Sequence, residues 1–124
     1  SKDSDDAARV GVLVARAGAD YWAFHERLFT NRGQVNMDAA LEAAQEAGLN
    51  PVSLRLELET PSVSDVISRN HELARVLNIS GTPTYIIGDE IIPGAVGLEE
   101  LRTRIANMRA CGKTFCDDVQ ASND

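Results

Sequence analysis

Apolar residues recur at helical spacing through the first two thirds of the chain and then give way to short runs of β-formers. The first periodic stretch predicts a helix that Ser4 caps, with Asp5 and Asp6 in the first turn, where carboxylates complement the helix dipole. Gly18 is expected to end this helix. Its predicted core face consists of Ala7, Val10, Val14 and Ala17.

A second helix is predicted to begin after Asp20, which suits an N-cap. It carries most of the aromatic residues of the chain on two neighbouring stripes. One stripe holds Tyr21, Phe24 and Leu28, and the other holds Trp22, His25 and Phe29.

Three further helices follow, separated by short junctions. The pattern predicts one over about 37–47, one that starts at Asn50-Pro51 and runs to about residue 58, and one over about 62–77. The last of these is expected to start with a capping box formed by Ser62 and Asp65.

Residues 81–94 form the most informative segment of the sequence. Pro83 cannot donate to a sheet ladder, so we expect it to start a strand, a position where such a proline often forms the cis bond of a tight turn. Two apolar runs, 84–87 and 90–92, predict strands, and Gly88-Asp89 between them suits a two-residue hairpin turn. The segment therefore predicts a β-hairpin that a proline opens.

This hairpin, its Pro93-Gly94-Ala95 turn and the helix that starts near Gly97 resemble the second half of a thioredoxin fold. The similarity is greatest to the DsbA-like thiol-disulfide oxidoreductases, in which a helical insert precedes a Gly-x-Pro-Thr loop, whereas common cytosolic glutathione transferases place their helices after the hairpin. The resemblance implies an α/β thioredoxin-like fold of DsbA type with a helical insertion. This chain would be mostly helical, with a two-stranded antiparallel hairpin and a C-terminal helix.

The resemblance also implies a division of the chain into three parts. Residues 1–80 would form the helical insert, residues 81–110 the cis-proline hairpin and last helix, and residues 111–124 a tail closed by a disulfide. The polar end, from residue 117 onward, is expected to fray.

No Cys-x-x-Cys pair occurs in the 124 residues, although the family uses one for catalysis. The resemblance implies that this pair lies upstream of Ser1, that the chain is a fragment or a processed product, and that it contains no catalytic residue. We expect it not to reduce insulin disulfides. Thr82 and Pro83 would bind an extended substrate by strand addition. The partners implied are protein or peptide thiols and disulfides and a redox partner protein, without a cofactor.

Cys111 and Cys116 enclose four residues just after the last helix. A structural disulfide is the favoured interpretation, because closing such a loop contributes about 2 kcal/mol. Disulfides persist in oxidising compartments, so this interpretation predicts a periplasmic or secreted protein. The alternatives are a redox centre in which Lys113 lowers a thiol pKa, two free thiols, or half of a metal site.

Composition narrows the range of partners. A net charge of -7 disfavours nucleic acid and anionic membranes, and no apolar run approaches the length of a membrane span. His25 and His71 are far apart and form no ligand pair, so no metal site is predicted. His25 is expected to be satisfied by its aromatic neighbours and His71 to face water. Glu42, Glu46, Glu99 and Glu100 are interpreted as solvated helix-surface charges.

Two other functions stay open from the sequence. One is a glutathione-dependent enzyme of the kappa-transferase or chromene-carboxylate isomerase type, although Ile92-Pro93-Gly94-Ala95 departs from the turn expected there. The other is a non-catalytic thioredoxin-like binding module. For the DsbA-like interpretation, the unpaired edges of a hairpin without its partner strands favour a homodimer or strand exchange unless something covers them.

Overall fold

The chain folds into helices followed by a hairpin and a last helix. A computed structural model describes residues 1–117. These residues form α1 (Lys2–Arg16), α2 (Tyr21–Phe29), α3 (Met37–Glu46), α4 (Pro51–Glu57), α5 (Pro61–Val76), β1 (Thr84–Ile87), β2 (Glu90–Pro93) and α6 (Leu98–Cys111). The chain divides into two compact units, Ser1–Leu73 and the part that begins at Ala74.

Helices α1 and α3 form the centre of the first unit. α1 packs against α2, α3 and α4, and α3 also contacts α2 and α4. The buried side chains of α3 include Ala40, Ala43 and Ala44, whose small size lets neighbouring helices approach closely. Val10 and Val14 are fully buried, which confirms two of the predicted core positions of α1. Ala17, which the sequence placed on the same face, is the C-cap residue of α1 and is exposed.

The start of α1 also differs from the prediction. Ser1, not Ser4, is the N-cap, and its hydroxyl accepts a hydrogen bond from the Ser4 backbone N–H at 3.3 Å. Two serines three residues apart compete for the role, and the earlier one extends the helix by a turn. Asp6 therefore lies inside the helix and is buried, where Lys2 Nζ donates to its Oδ2 at 2.7 Å.

Helix α5 likewise begins before the predicted capping box. Its first residue is Pro61, which suits the first helical position because the N–H that proline lacks would be unpaired there. Ser62 thus lies inside the helix, and its hydroxyl accepts a hydrogen bond from Arg16 Nη1 at 3.0 Å. Two other N-caps agree with the prediction: Asp20 caps α2, and Asn50 caps α4 ahead of Pro51.

The second unit contains the predicted hairpin. β1 and β2 are antiparallel, with Thr84 opposite Pro93 and Ile87 opposite Glu90. Gly88 opens the turn with φ +62°, a conformation that favours glycine. Ile92 is buried, and α6 packs against β1. The hairpin is therefore seated on the last helix.

Candidate docking loop and its support

The loop before β1 is exposed and its shape is held by two hydrogen bonds. Gly81, Thr82 and Pro83 are all exposed, and the Thr82–Pro83 peptide bond is cis. Thr84 Oγ1 donates to the Gly81 carbonyl at 2.7 Å. The Gly94 N–H donates to the Pro83 carbonyl at 2.8 Å. Thr82 and Pro83 thus lie at the open end of the hairpin, within reach of a ligand.

Backbone groups are available beside this loop. Among residues 1–117 the sheet has two strands, so each strand pairs with a neighbour on one side only. The outer edge of β1 carries N–H and C=O groups that can pair with an added strand. An extended peptide alongside the loop would find backbone partners without any side-chain match.

At the turn end of the hairpin, an arginine joins β2 to α6. The Arg104 guanidinium contacts Glu90 through Nη1, and Arg104 Nε donates to Glu100 Oε1 at 2.7 Å. The Arg104 side chain is only 14% exposed, so this pair is better shielded from water than the surface pair of Arg102 and Glu99. It fixes the start of β2 on the helix.

The Arg104 guanidinium also shifts a titration. Its hydrogen bond holds the pKa of the Glu90 carboxyl below its ordinary value, and Thr114 lowers it further. Glu90 Oε2 is buried and has no hydrogen-bond partner among the described residues, so Thr114 acts on this carboxyl as a nearby polar group. The two carboxylates raise the pKa of Arg104 in return, Glu90 more than Glu100.

A loop closed by a disulfide covers this arginine. Cys111 and Cys116 are bonded to each other. Within the loop, the Thr114 carbonyl accepts a hydrogen bond from Asn107 Nδ2 at 2.7 Å. The Phe115 ring lies over the Arg104 guanidinium, with the Cζ atom 4.2 Å from the ring centroid. The predicted fraying of the tail from residue 117 falls almost wholly on residues 118–124, which are outside the described part.

The sequence did not reveal this support. Glu100 and Arg104 stand four residues apart on one helix face, a spacing that signals an ion pair. Nothing local connects Arg104 to Glu90, fourteen residues earlier, or to Phe115. These contacts depend on how the hairpin lies on α6.

We predict a pH dependence that belongs to Glu90. Its pKa is depressed in the folded state, so the stabilisation is present above the ordinary value of 4.5 and is lost as the pH falls through the folded pKa. Glu90→Gln removes this contribution. Urea unfolding between neutral pH and pH values below 4.5 should show that the difference in stability between the wild type and Glu90→Gln shrinks on acidification.

Glu99→Gln is the matched control, because Glu99 pairs with exposed Arg102 on the same helix and is itself 85% exposed. We expect little change in stability from it at any pH. A wild-type advantage over Glu90→Gln that stays constant down to the lowest pH would contradict the prediction.

The histidines occupy different environments. His25 stacks between Trp22 and Phe29, with ring centroids 5.7 and 4.5 Å away, in agreement with the predicted aromatic stripe. His71 is exposed, as predicted. In the described part of the chain, no group of three or more His, Cys, Asp or Glu side chains lies where it could hold a metal ion.

The predicted surface carboxylates are exposed or half-buried and form ion pairs. Glu42 and Glu46 both face Arg27 of α2, at 3.8 and 3.0 Å. As for membranes, none of the helices within residues 1–117 is both long enough and apolar enough to cross one.

The helices ahead of a proline-opened hairpin and the helix behind it define a thioredoxin-like protein of the α/β class, as predicted. Residues 1–106 match the DSBA-like thioredoxin domain, and the chain belongs to that family.

Two proteins of Bacillus subtilis (strain 168) show what this chain is similar to. "Uncharacterized protein YwbO" is 34% identical over 76 residues, which are 58% of this chain and 36% of that protein. "Disulfide bond formation protein D" is 22% identical over 91 residues, 68% of this chain and 41% of that protein. The matches thus span about two fifths or less of the curated relatives' length.

Proposed function

We propose that this chain carries the substrate-docking part of a thiol-disulfide oxidoreductase that acts on thiols and disulfides of exported proteins. The observation that carries the proposal is the exposed Thr82–Pro83 loop at the open end of a hairpin whose outer edge is unpaired within residues 1–117. Membership of the DSBA-like family and a relative named for disulfide bond formation support it.

In this proposal the backbone of Thr82 and Pro83 aligns an extended substrate segment. Such pairing tolerates different side chains, which suits an enzyme whose substrates share cysteines rather than sequences. Thiol-disulfide exchange moves electrons from one dithiol to one disulfide and needs no cofactor, while a redox partner protein resets the enzyme.

The reactive cysteines of the enzyme would come from outside these 124 residues. The sequence contains two cysteines and no Cys-x-x-Cys, and Cys111 and Cys116 are bonded to each other. We propose that this disulfide has a structural role while it is intact. It also supports a periplasmic or secreted location, since disulfides persist where the surroundings are oxidising.

A second candidate is a thioredoxin-like binding module that needs no thiol. The exposed aromatic residues of α2 favour it: Trp22 is 70% and Phe29 79% exposed. Such a module would hold a partner on this helix rather than at the docking loop. Under either proposal, the unpaired edges of the hairpin would let two copies associate at high concentration when no other strand covers them.

The docking proposal predicts where a peptide binds. We would titrate the isotopically labelled chain with an extended peptide that contains an S-methylated cysteine, and follow its backbone amides by NMR. The shifts should concentrate at residues 81–84. Thr84→Val removes the hydroxyl that holds the Gly81 carbonyl, and the net worth of one such bond is about 1 kcal/mol, so we expect about fivefold weaker binding.

Thr103→Val is the control, because it makes the same chemical change at an exposed position of α6. It should leave the affinity unchanged. Methylation of the peptide's backbone nitrogens should abolish binding if strand pairing carries it. Shifts that appear only on α2 would favour the binding module. An insulin-reduction rate equal to that of a family enzyme with a Cys-x-x-Cys pair would contradict the proposal that the reactive cysteines lie outside these 124 residues.

A further inference from the structure

The disulfide loop after α6 combines accessible sulfur-bearing residues with a buried centre. Cys111 and Cys116 are both exposed, whereas Thr114 between them is 7% exposed. A dissolved thiol can therefore approach the disulfide without prior unfolding of the loop. The loop itself is packed against the rest of the second unit.

The disulfide loop contacts α6 through Phe115 and Thr114, and the contact of Phe115 leads on to the docking hairpin. Phe115 lies on the Arg104 guanidinium, which contacts Glu90 at the start of β2. Thr114 lies close enough to lower the pKa of the same carboxyl, and Asn107 holds the Thr114 carbonyl. The loop thus shields the ion pair that joins the hairpin to α6.

We propose that the Cys111–Cys116 disulfide is a thiol-exchange site, and that its reduction by a dithiol loosens the hairpin that carries the docking loop. With the disulfide intact, Phe115 and Thr114 stay over the Arg104–Glu90 pair. With it broken, the loop is free to leave, and water reaches a pair that is then screened like any surface pair.

The exchange consists of two displacements. A thiolate of the reducing dithiol attacks one sulfur of the disulfide, forms a mixed disulfide and releases the other cysteine as a thiolate, which takes up a proton. The second thiol of the dithiol, as a thiolate, then displaces the remaining cysteine. The dithiol becomes a disulfide, and Cys111 and Cys116 become two thiols, so two electrons and two protons are transferred in total.

This inference does not depend on the proposed function. It concerns a disulfide contained in the chain and is tested by sulfur chemistry and hydrogen exchange, without a substrate or an activity assay. Failure of peptide docking would leave it standing, and its own failure would leave the docking loop in place.

The first experiment measures accessibility of the disulfide. The full chain is treated with dithiothreitol, and the free thiols are counted over time by maleimide tagging and mass spectrometry. The same chain in guanidinium chloride provides the unfolded reference. We expect the native rate to lie within about tenfold of the unfolded rate, since both cysteines are exposed. Greater protection than this would overturn the exchange site.

The second experiment measures how strongly the hairpin amides are protected from hydrogen exchange when the disulfide is intact and when it is reduced. Hydrogen exchange detected by mass spectrometry should be about two- to fivefold faster in residues 84–93 of the reduced chain, the loss expected from one exposed cation–π contact. The paired substitution Cys111→Ser and Cys116→Ser should act in the same way. α1 is the internal reference and should not change.

Phe115→Ala keeps the disulfide and removes only the aromatic ring that lies over Arg104. It therefore separates the effect of the Phe115–Arg104 contact from the effect of the disulfide itself. It should speed hairpin exchange in the oxidised chain, as should Arg104→Ala, whereas Arg102→Ala on the same helix should not. An unchanged rate of hydrogen exchange in the hairpin of Phe115→Ala would overturn the proposal that Phe115 helps to hold the hairpin through Arg104. So would reduction that unprotects Lys2–Arg16 to the same extent as the hairpin.

Discussion

Phe24→Ala is expected to lower the free energy of unfolding of the first unit by about 3–5 kcal/mol, the usual cost of removing a buried phenylalanine. The Phe24 ring is 2% exposed and belongs to the hydrophobic core of this unit. It lies against α1, where a Cβ added at Gly11 would be 3.5 Å from its Cε1 atom. Because the ring is packed tightly from several sides, its removal leaves a cavity that the neighbouring side chains cannot close completely.

The control lies five positions further along the same helix. Phe29 is 79% exposed, so Phe29→Ala should change stability by no more than about 0.5 kcal/mol. Urea unfolding followed by circular dichroism measures both variants. Similar losses for the two would contradict the assignment of Phe24 to the core and Phe29 to the surface.

Gly88→Ala should destabilise the second unit by about 2 kcal/mol, for two separate reasons. Gly88 has φ +62°, a backbone conformation in which the Cβ of an L-residue causes steric strain. The added Cβ would also lie 2.7 Å from Met108 Cε and 2.8 Å from its Sδ, so the thioether on α6 must move. Because these atoms are the far end of a flexible side chain, Met108 can shift, and the collision adds the smaller part of the cost.

Gly112→Ala separates the two causes, because Gly112 has φ +76° but no heavy atom within 4 Å of its added Cβ. It should cost only the conformational part, about 1 kcal/mol. Combining Gly88→Ala with Met108→Ala should remove the collision and leave the conformational part of the Gly88 effect. Equal stabilities for Gly88→Ala and Gly112→Ala would contradict a tight contact between the turn and α6.

Local signals made most of the secondary structure predictable. Asn50 followed by Pro51 starts α4 where expected, since the Asn50 side chain accepts from the N–H groups of Val52 and Ser53 within its own turn. The hairpin was predictable for the same reason, because its turn residues and apolar runs are neighbours in sequence. The start of α1 was not, since Ser1 and Ser4 carry the same capping signal.

The docking loop was predictable from local sequence, whereas the contacts that support it were not. Thr82 and Pro83 could be singled out from a short motif, because a proline before a strand affects its own neighbourhood. The roles of Arg104 and Phe115 could not, since they depend on partners brought near by the packing of α6. Periodicity also could not decide which aromatic residues of α2 are buried: Phe24 is, and Trp22 is not.

The sequence by itself determined the order of the elements and the proline-opened hairpin, because these depend on contacts between residues close along the chain. It indicated the fold class through its resemblance to the DsbA-like family. Only the tertiary structure decided how the hairpin is held. Two interactions join segments that no local pattern pairs. They are the contact of Gly88 with Met108 and the ion pair of Arg104 and Glu90 beneath the disulfide loop. Their energies arise from proximity and shielding from water, which exist only after the elements have packed.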